Sequence, residues 1–186
     1  MSSKSNNVFN KFEGIFLGGN SLTNLPWVEQ LSAKLKDLFS TVYVHKYLHW
    51  QTNNVLIDLR EESSRLERSL VSKKYVIVAK SAGAVLAIKE ISEKKIFPEK
   101  CIFLGLPLRW AEDHNLPLKK WIKNLNVPAL FIQNTEDPLL SSVELKQLLI
   151  SNHLSKYTIV ELDNRTHDYL DFNTMKKEII IFLEYH

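Results

Sequence analysis

The stretch Val78-Ala79-Lys80-Ser81-Ala82-Gly83 sets a serine hydroxyl between two apolar runs. Tyr75–Ala79 reads as a buried strand and the run from Ala82 to Ile91 as a buried helix, with only Lys80 and Ser81 between them. A chain that passes from strand to helix without a loop must bend sharply at the serine. The bend strains that residue and projects its hydroxyl past the strand end. The helix then runs close to the strand, so the positions two before and two after the serine must be small. They are Ala79 and Gly83. The pattern is a nucleophile elbow with alanine at the first glycine of G-x-S-x-G, and its chemistry is attack on a carbonyl. A helix N-terminus beside the hydroxyl favours the negative charge that such an attack develops.

A serine needs a base, and the base needs an acid to orient it. Two further stretches offer them. In "QNTEDP", Asp137 stands four residues past the apolar run Ala129–Gln133 and is fixed by Pro138, with Glu136 beside it as a fallback acid. In "DNRTHDY", His167 sits in the polar loop between the last apolar run, Thr158–Leu162, and the final helical segment. Each by itself is an ordinary turn or loop residue. The combination carries more than its members, because all three sit just after strand-like runs.

Those runs number six: Gly14–Leu17, Val42–His45, Tyr75–Ala79, Cys101–Leu104, Ala129–Gln133 and Thr158–Leu162. All read as buried strands. Between them lie helical periods. One follows Pro26 with Trp27, Leu31, Leu35 and Leu38 on one face, and another covers 55–70 with Leu59, Leu66 and Leu70 inward. A third opens at the capping box Ser141…Glu144, and the last runs over 174–183. Strands alternating with helices predict βαβ units. The expected fold is α/β, a three-layer α/β/α sandwich with a mostly parallel six-stranded sheet. A single domain over 1–186 is expected, with residues 1–12 a loosely ordered tail. Such sheets bind ligands at the carboxyl ends of their strands, where Ser81, Asp137 and His167 fall.

The chain order serine, acid, histidine, each after a successive strand, resembles the α/β-hydrolase superfamily, and in particular its small members without an inserted cap. The resemblance runs from about Gly14 to Leu183. It implies a sheet of the α/β-hydrolase type, lacking the family's first antiparallel hairpin and with the elbow strand near the centre. It further implies Ser81 as nucleophile, His167 as base and Asp137 as acid, with Asn134 where glycine is usual. Of the two oxyanion donors, one is the backbone N–H of Ala82. The other comes from the loop after the first strand, where Gly18-Gly19 replaces the usual His-Gly and the donor is Asn20 or Gly19. The implied activity is hydrolysis of a carboxylic ester, a thioester or a small amide through an acyl-enzyme, with no cofactor and no metal. The partner is then a small ester-like molecule. In the loops after the second and fourth strands, Trp50 and Trp110 offer aromatic walls for an apolar acyl pocket. The alternative is a binding module on the same fold that has no chemistry.

Other classes fit poorly. Lys and Arg exceed Asp and Glu by only 24 to 21, and the basic doublets are scattered, so no nucleic-acid face is predicted. "AKSAG" lacks the glycine loop of a phosphate-binding motif, and "FLGGNS" lacks G-x-G-x-x-G. The single cysteine, Cys101, opens an apolar run and reads as a core thiol. His45 and His49 have no further ligands at metal-binding spacing. No run approaches the ~20 apolar residues of a membrane span, and the N-terminus does not read as a signal peptide. A cytoplasmic protein without a membrane partner is expected; the oligomeric state is left open.

Overall fold

A computed structural model describes residues 11–52, 54–70 and 74–185. Its centre is a six-stranded sheet in which every neighbouring pair is parallel. The strands are β1 (Glu13–Leu17), β2 (Thr41–His45), β3 (Tyr75–Lys80), β4 (Lys100–Leu104), β5 (Ala129–Asn134) and β6 (Tyr157–Leu162). They lie in the order β2-β1-β3-β4-β5-β6. The helices are α1 (Asn24–Leu35), α2 (Leu59–Ser69), α3 (Ala82–Ser92), α4 (Leu108–Asp113), α5 (Leu118–Ile122), α6 (Ser142–Ser151) and α7 (Phe172–Tyr185).

From β1 the chain moves one way along the sheet, through α1 to β2. From β3 it moves the other way, through α3 to β4. The order therefore reverses between β1 and β3, the kind of position at which open α/β sheets bind ligands beyond the strand ends. Helices cover both faces. On one, α1 and α7 meet, with Trp27 edge-on to Phe172 at 5.9 Å and Lys176 bonded to Asp37 just beyond α1. On the other, Ser63 of α2 accepts from Lys95, just past the end of α3, and Asn124, just past α5, donates to Ser92 of α3.

The strands extend the expected runs by a residue at most at either end. Their burial is uneven: β3, β4 and β5 are buried throughout, whereas β2 and β6 are partly exposed because each is an edge with one strand neighbour. The helix expected over 55–70 begins later. Asp58 caps it by accepting from the N–H groups of Arg60 and Glu61, and Val55 and Leu56 remain exposed before it. The last helix starts earlier than expected, since Asp171 accepts from the Thr174 N–H and opens a turn ahead of it. The segments after β2 and β4, read as loops, contain a 3-10 turn (Leu48–Gln51) and the short helices α4 and α5. Of the expected tail, residues 1–10 lie outside the described residues, and Phe12 is tied down by two bonds from Ser40 to its carbonyl.

Candidate active site

Ser81 has φ 53° and ψ −122°, a conformation that side chains other than glycine rarely adopt. Such strain costs about 1–3 kcal/mol and is held only by its surroundings. Here the Ser81 N–H stays bonded to the Leu104 carbonyl of β4, while the Ser81 carbonyl already accepts from Ala84 and Val85 of α3. The residue thus ends a strand and starts a helix at once. Its hydroxyl makes no capping bond to the helix. Close packing behind the bend depends on Gly83: a Cβ there would stand 2.6 Å from the Gly18 carbonyl oxygen and 2.9 Å from that of Leu17.

The Ser81 hydroxyl lies 2.9 Å from His167 Nε2, and His167 Nδ1 lies 2.7 Å from Asp137 Oδ2. A carboxylate only accepts, so Nδ1 carries the proton given to Asp137, and Nε2 of the neutral ring is left to accept from serine. Asp137 is buried, and its other oxygen accepts the Leu139 N–H at 2.8 Å, which sets the rotation of the carboxylate. The His167 side chain keeps one fifth of its surface exposed. Glu136 turns to Arg165 at the surface instead.

Four residues of this assembly have supporting contacts that sequence reasoning did not assign them. The Tyr169 hydroxyl donates to Asp137 Oδ2 at 2.8 Å and accepts the Asn134 N–H at 2.9 Å. Burial, and then the neighbouring Asp137 charge, push its phenol far above the usual range, so it serves as a donor. The Asn134 side chain, where glycine was the implied residue, donates to the Thr166 carbonyl and ties the histidine loop to the end of β5. Gly105 follows β4 with φ +61°, and a Cβ on it would stand 2.9 Å from His167 Cε1 and clash with the Tyr169 ring. The fourth, Lys80, is buried with its Nζ 3.0 Å from Asn24 Oδ1. Its only signal was a charged residue at the corner between an apolar strand and an apolar helix.

The Gly18–Asn20 segment leaves β1 beside the elbow, since Leu17 pairs with Ala79. Ala82 is the first residue of α3, where an N–H has no intrahelical partner. The Asn20 carbonyl accepts from His49 at 2.6 Å and Trp50 at 3.1 Å, and its side chain bonds Val55 and Ile57. Trp50, expected as a pocket wall, is buried against Gly18 and Tyr47. Trp110 lies on α4, partly exposed, with its ring tilted against His114 at 4.6 Å. No observed contact joins either indole to Ser81. His45 is engaged by Glu62 at 2.8 Å, and no group of three or more metal-ligating side chains occurs among the described residues. Cys101 is buried, which pushes its thiol up.

This architecture is shared with solved structures. A metagenome-derived lipolytic enzyme superposes with a TM-score of 0.75 at 12% identity, over 95% of each chain. A lipase-esterase related protein from Clostridium acetobutylicum gives 0.67 at 12% identity, over 93% of this chain and 95% of the other. An uncharacterized protein from Bacillus cereus gives 0.71 at 21% identity; 94% of this chain matches it but spans only 60% of its length. No protein-family model matches the chain, and neither does any curated protein. The fold is that of the α/β-hydrolases. No helix among the described residues is long and apolar enough to cross a membrane.

Proposed function

We propose that the protein is a serine hydrolase that cleaves a carboxylic ester, a thioester or a small amide of a small molecule. The observation that carries this reading is the hydrogen-bonded chain Ser81–His167–Asp137, with links of 2.9 and 2.7 Å between residues 86 and 30 positions apart. Three separate strand ends have no packing reason to converge polar side chains in that order.

The chemistry follows from the geometry. His167 Nε2 takes the hydroxyl proton as Ser81 Oγ bonds to the substrate carbonyl carbon. Asp137 holds the ring through Nδ1 and stabilises the imidazolium. The oxyanion is met by the Ala82 N–H and a second N–H from Asn20 or Gly19. Collapse of the tetrahedral intermediate breaks the bond to the leaving group, which takes the proton from His167 and leaves an acyl-serine. Water, deprotonated by His167, repeats the sequence and releases the acid. The structural neighbours described as lipolytic or esterase-related support the ester reading.

The test is covalent labelling by a fluorophosphonate together with hydrolysis of a short p-nitrophenyl ester. Ser81→Ala should abolish labelling and cut kcat by about 10⁴-fold or more. A variant that retains full activity refutes the assignment. A wild-type protein that neither labels nor hydrolyses any ester would favour a binding module on the same fold.

A further inference from the structure

Lys80 immediately precedes Ser81 at the elbow, and only 6% of its surface is exposed. Burying an ammonium is costly, and an apolar side chain of that length would fill the space without the cost. The partner chosen is not a carboxylate but the neutral amide of Asn24, whose Oδ1 accepts at 3.0 Å, with the Trp27 ring 4.9 Å beneath the charge. An ammonium can only donate, so it fixes which way that amide faces. The Asn24 Nδ2 is thereby turned to the Ser21 carbonyl at 3.2 Å.

The fixed amide has one further neighbour. A Cβ placed on Gly19 would stand 2.8 Å from Asn24 Oδ1 and 2.9 Å from both Cγ and Nδ2. Three nearly equal distances mean that the amide plane lies flat against Gly19. From elsewhere the same loop is held by Tyr47, whose hydroxyl donates to the Gly18 carbonyl at 3.0 Å, and by His49 and Trp50 at the Asn20 carbonyl. The Gly18–Asn20 backbone is therefore clamped between an aromatic cluster and the Lys80–Asn24 pair.

We infer that Lys80 is a positioning residue, which acts through Asn24 to hold the Gly19–Asn20 backbone where its N–H meets the oxyanion. The inference rests on the hydrolase reading above. A donor aimed at a developing charge loses most of its value when misplaced, and the loss appears in the transition state rather than in substrate binding. The residue between the two small positions of the elbow thus joins the nucleophile strand to the opposite wall of the site.

The experiment compares wild type, Lys80→Met, Asn24→Ala and the double variant on a p-nitrophenyl ester. Inhibition by phenylboronic acid, whose serine adduct puts an oxygen at the oxyanion position, and thermal melting are measured alongside. Lys80→Met should lower kcat about 10–100-fold with KM within about threefold, and weaken the boronate in parallel. Its Tm should hold or rise, because a buried charge is gone. A merely structural lysine would give the opposite split, a lower Tm with kcat kept. The double variant should be no worse than the poorer single, since both break one linkage. A Lys80→Met kcat within about threefold of wild type overturns the inference, as do single losses that multiply in the double. If Lys80→Met does not fold, Asn24→Ala alone decides by the same threshold. An inactive wild type sinks the hydrolase reading and this inference together, whereas an active wild type with an indifferent Lys80→Met sinks only the inference.

Discussion

Tyr169 shows how much of the Ser81–His167–Asp137 geometry rests on a residue that carries no motif. Its hydroxyl is bonded on both sides, to the Asn134 N–H and to Asp137 Oδ2, and its carbonyl accepts from the Trp27 indole at 2.8 Å. Tyr169→Phe strands a buried N–H and removes one of the bonds that orient the acid. Unfolding in urea should show a loss of about 1–3 kcal/mol. Ester hydrolysis should fall by roughly 3–30-fold, far less than for Ser81→Ala, because His167 keeps its own bond to Asp137. Lys80 yields a pH signature of stability. Burial lowers its pKa from the ordinary 10.5 to about 8, against the opposing pull of Asp168 and then Asp137. Below pH 8 the folded and unfolded chains both hold the proton. Between about 8 and 10.5 only the unfolded chain does, so stability rises with pH across that window. The rise is on the order of 3 kcal/mol at most. Urea titrations of wild type and Lys80→Met from pH 7 to 10 should show the variant's advantage shrinking as pH rises; a constant difference would refute the shift.

At the scale of elements, the decisive contact is between the first turn of α3 and the end of β1. Gly→Ala inside a helix ordinarily stabilises by about 1 kcal/mol. At Gly83 the sign should reverse, since the new methyl meets the Leu17 and Gly18 carbonyl oxygens, which are backbone and cannot rotate away. Gly83→Ala should lower the urea midpoint by the equivalent of about 1–3 kcal/mol and slow hydrolysis, because α3 and the Gly18–Asn20 loop must part. Unchanged stability would mean that helix and loop are looser than their packing indicates. The elbow itself was legible beforehand: a hydroxyl at a loopless corner flanked by Ala79 and Gly83 has one geometric solution. The capping box at Ser141 was legible for the same reason, being local, and both of its bonds are present. The start of α2 was misjudged because a continuous helical period hid the Asp58 cap. Helices α4 and α5 were missed since each is barely more than a turn, too short for periodicity to register.

For the molecule as a whole, the reversal of strand order between β1 and β3 brings the loop after β1 next to Ser81, and the sequence of strands from β3 to β6 carries the acid and histidine to the same rim. The alternation of apolar runs and helical periods determined a parallel α/β sheet, because hydrogen bonding and burial leave few other ways to pack such a chain. Local spacing singled out Ser81, Asp137 and His167, since each stands where a strand releases the backbone. What only the tertiary structure decided was who supports them. Tyr169, Asn134, Gly105 and the Lys80–Asn24 pair act across 32 to 56 positions of chain or through a single backbone angle, and no local pattern encodes such a meeting. The two tryptophans mark the same boundary from the other side: an aromatic residue in a rim loop can pack inward or face a ligand with equal chemical sense. Trp50 rests on the Asn20 carbonyl and on Gly18, contacts that exist only once β1 and the segment after β2 lie side by side, and it also lines a cavity with Asn20 and His49.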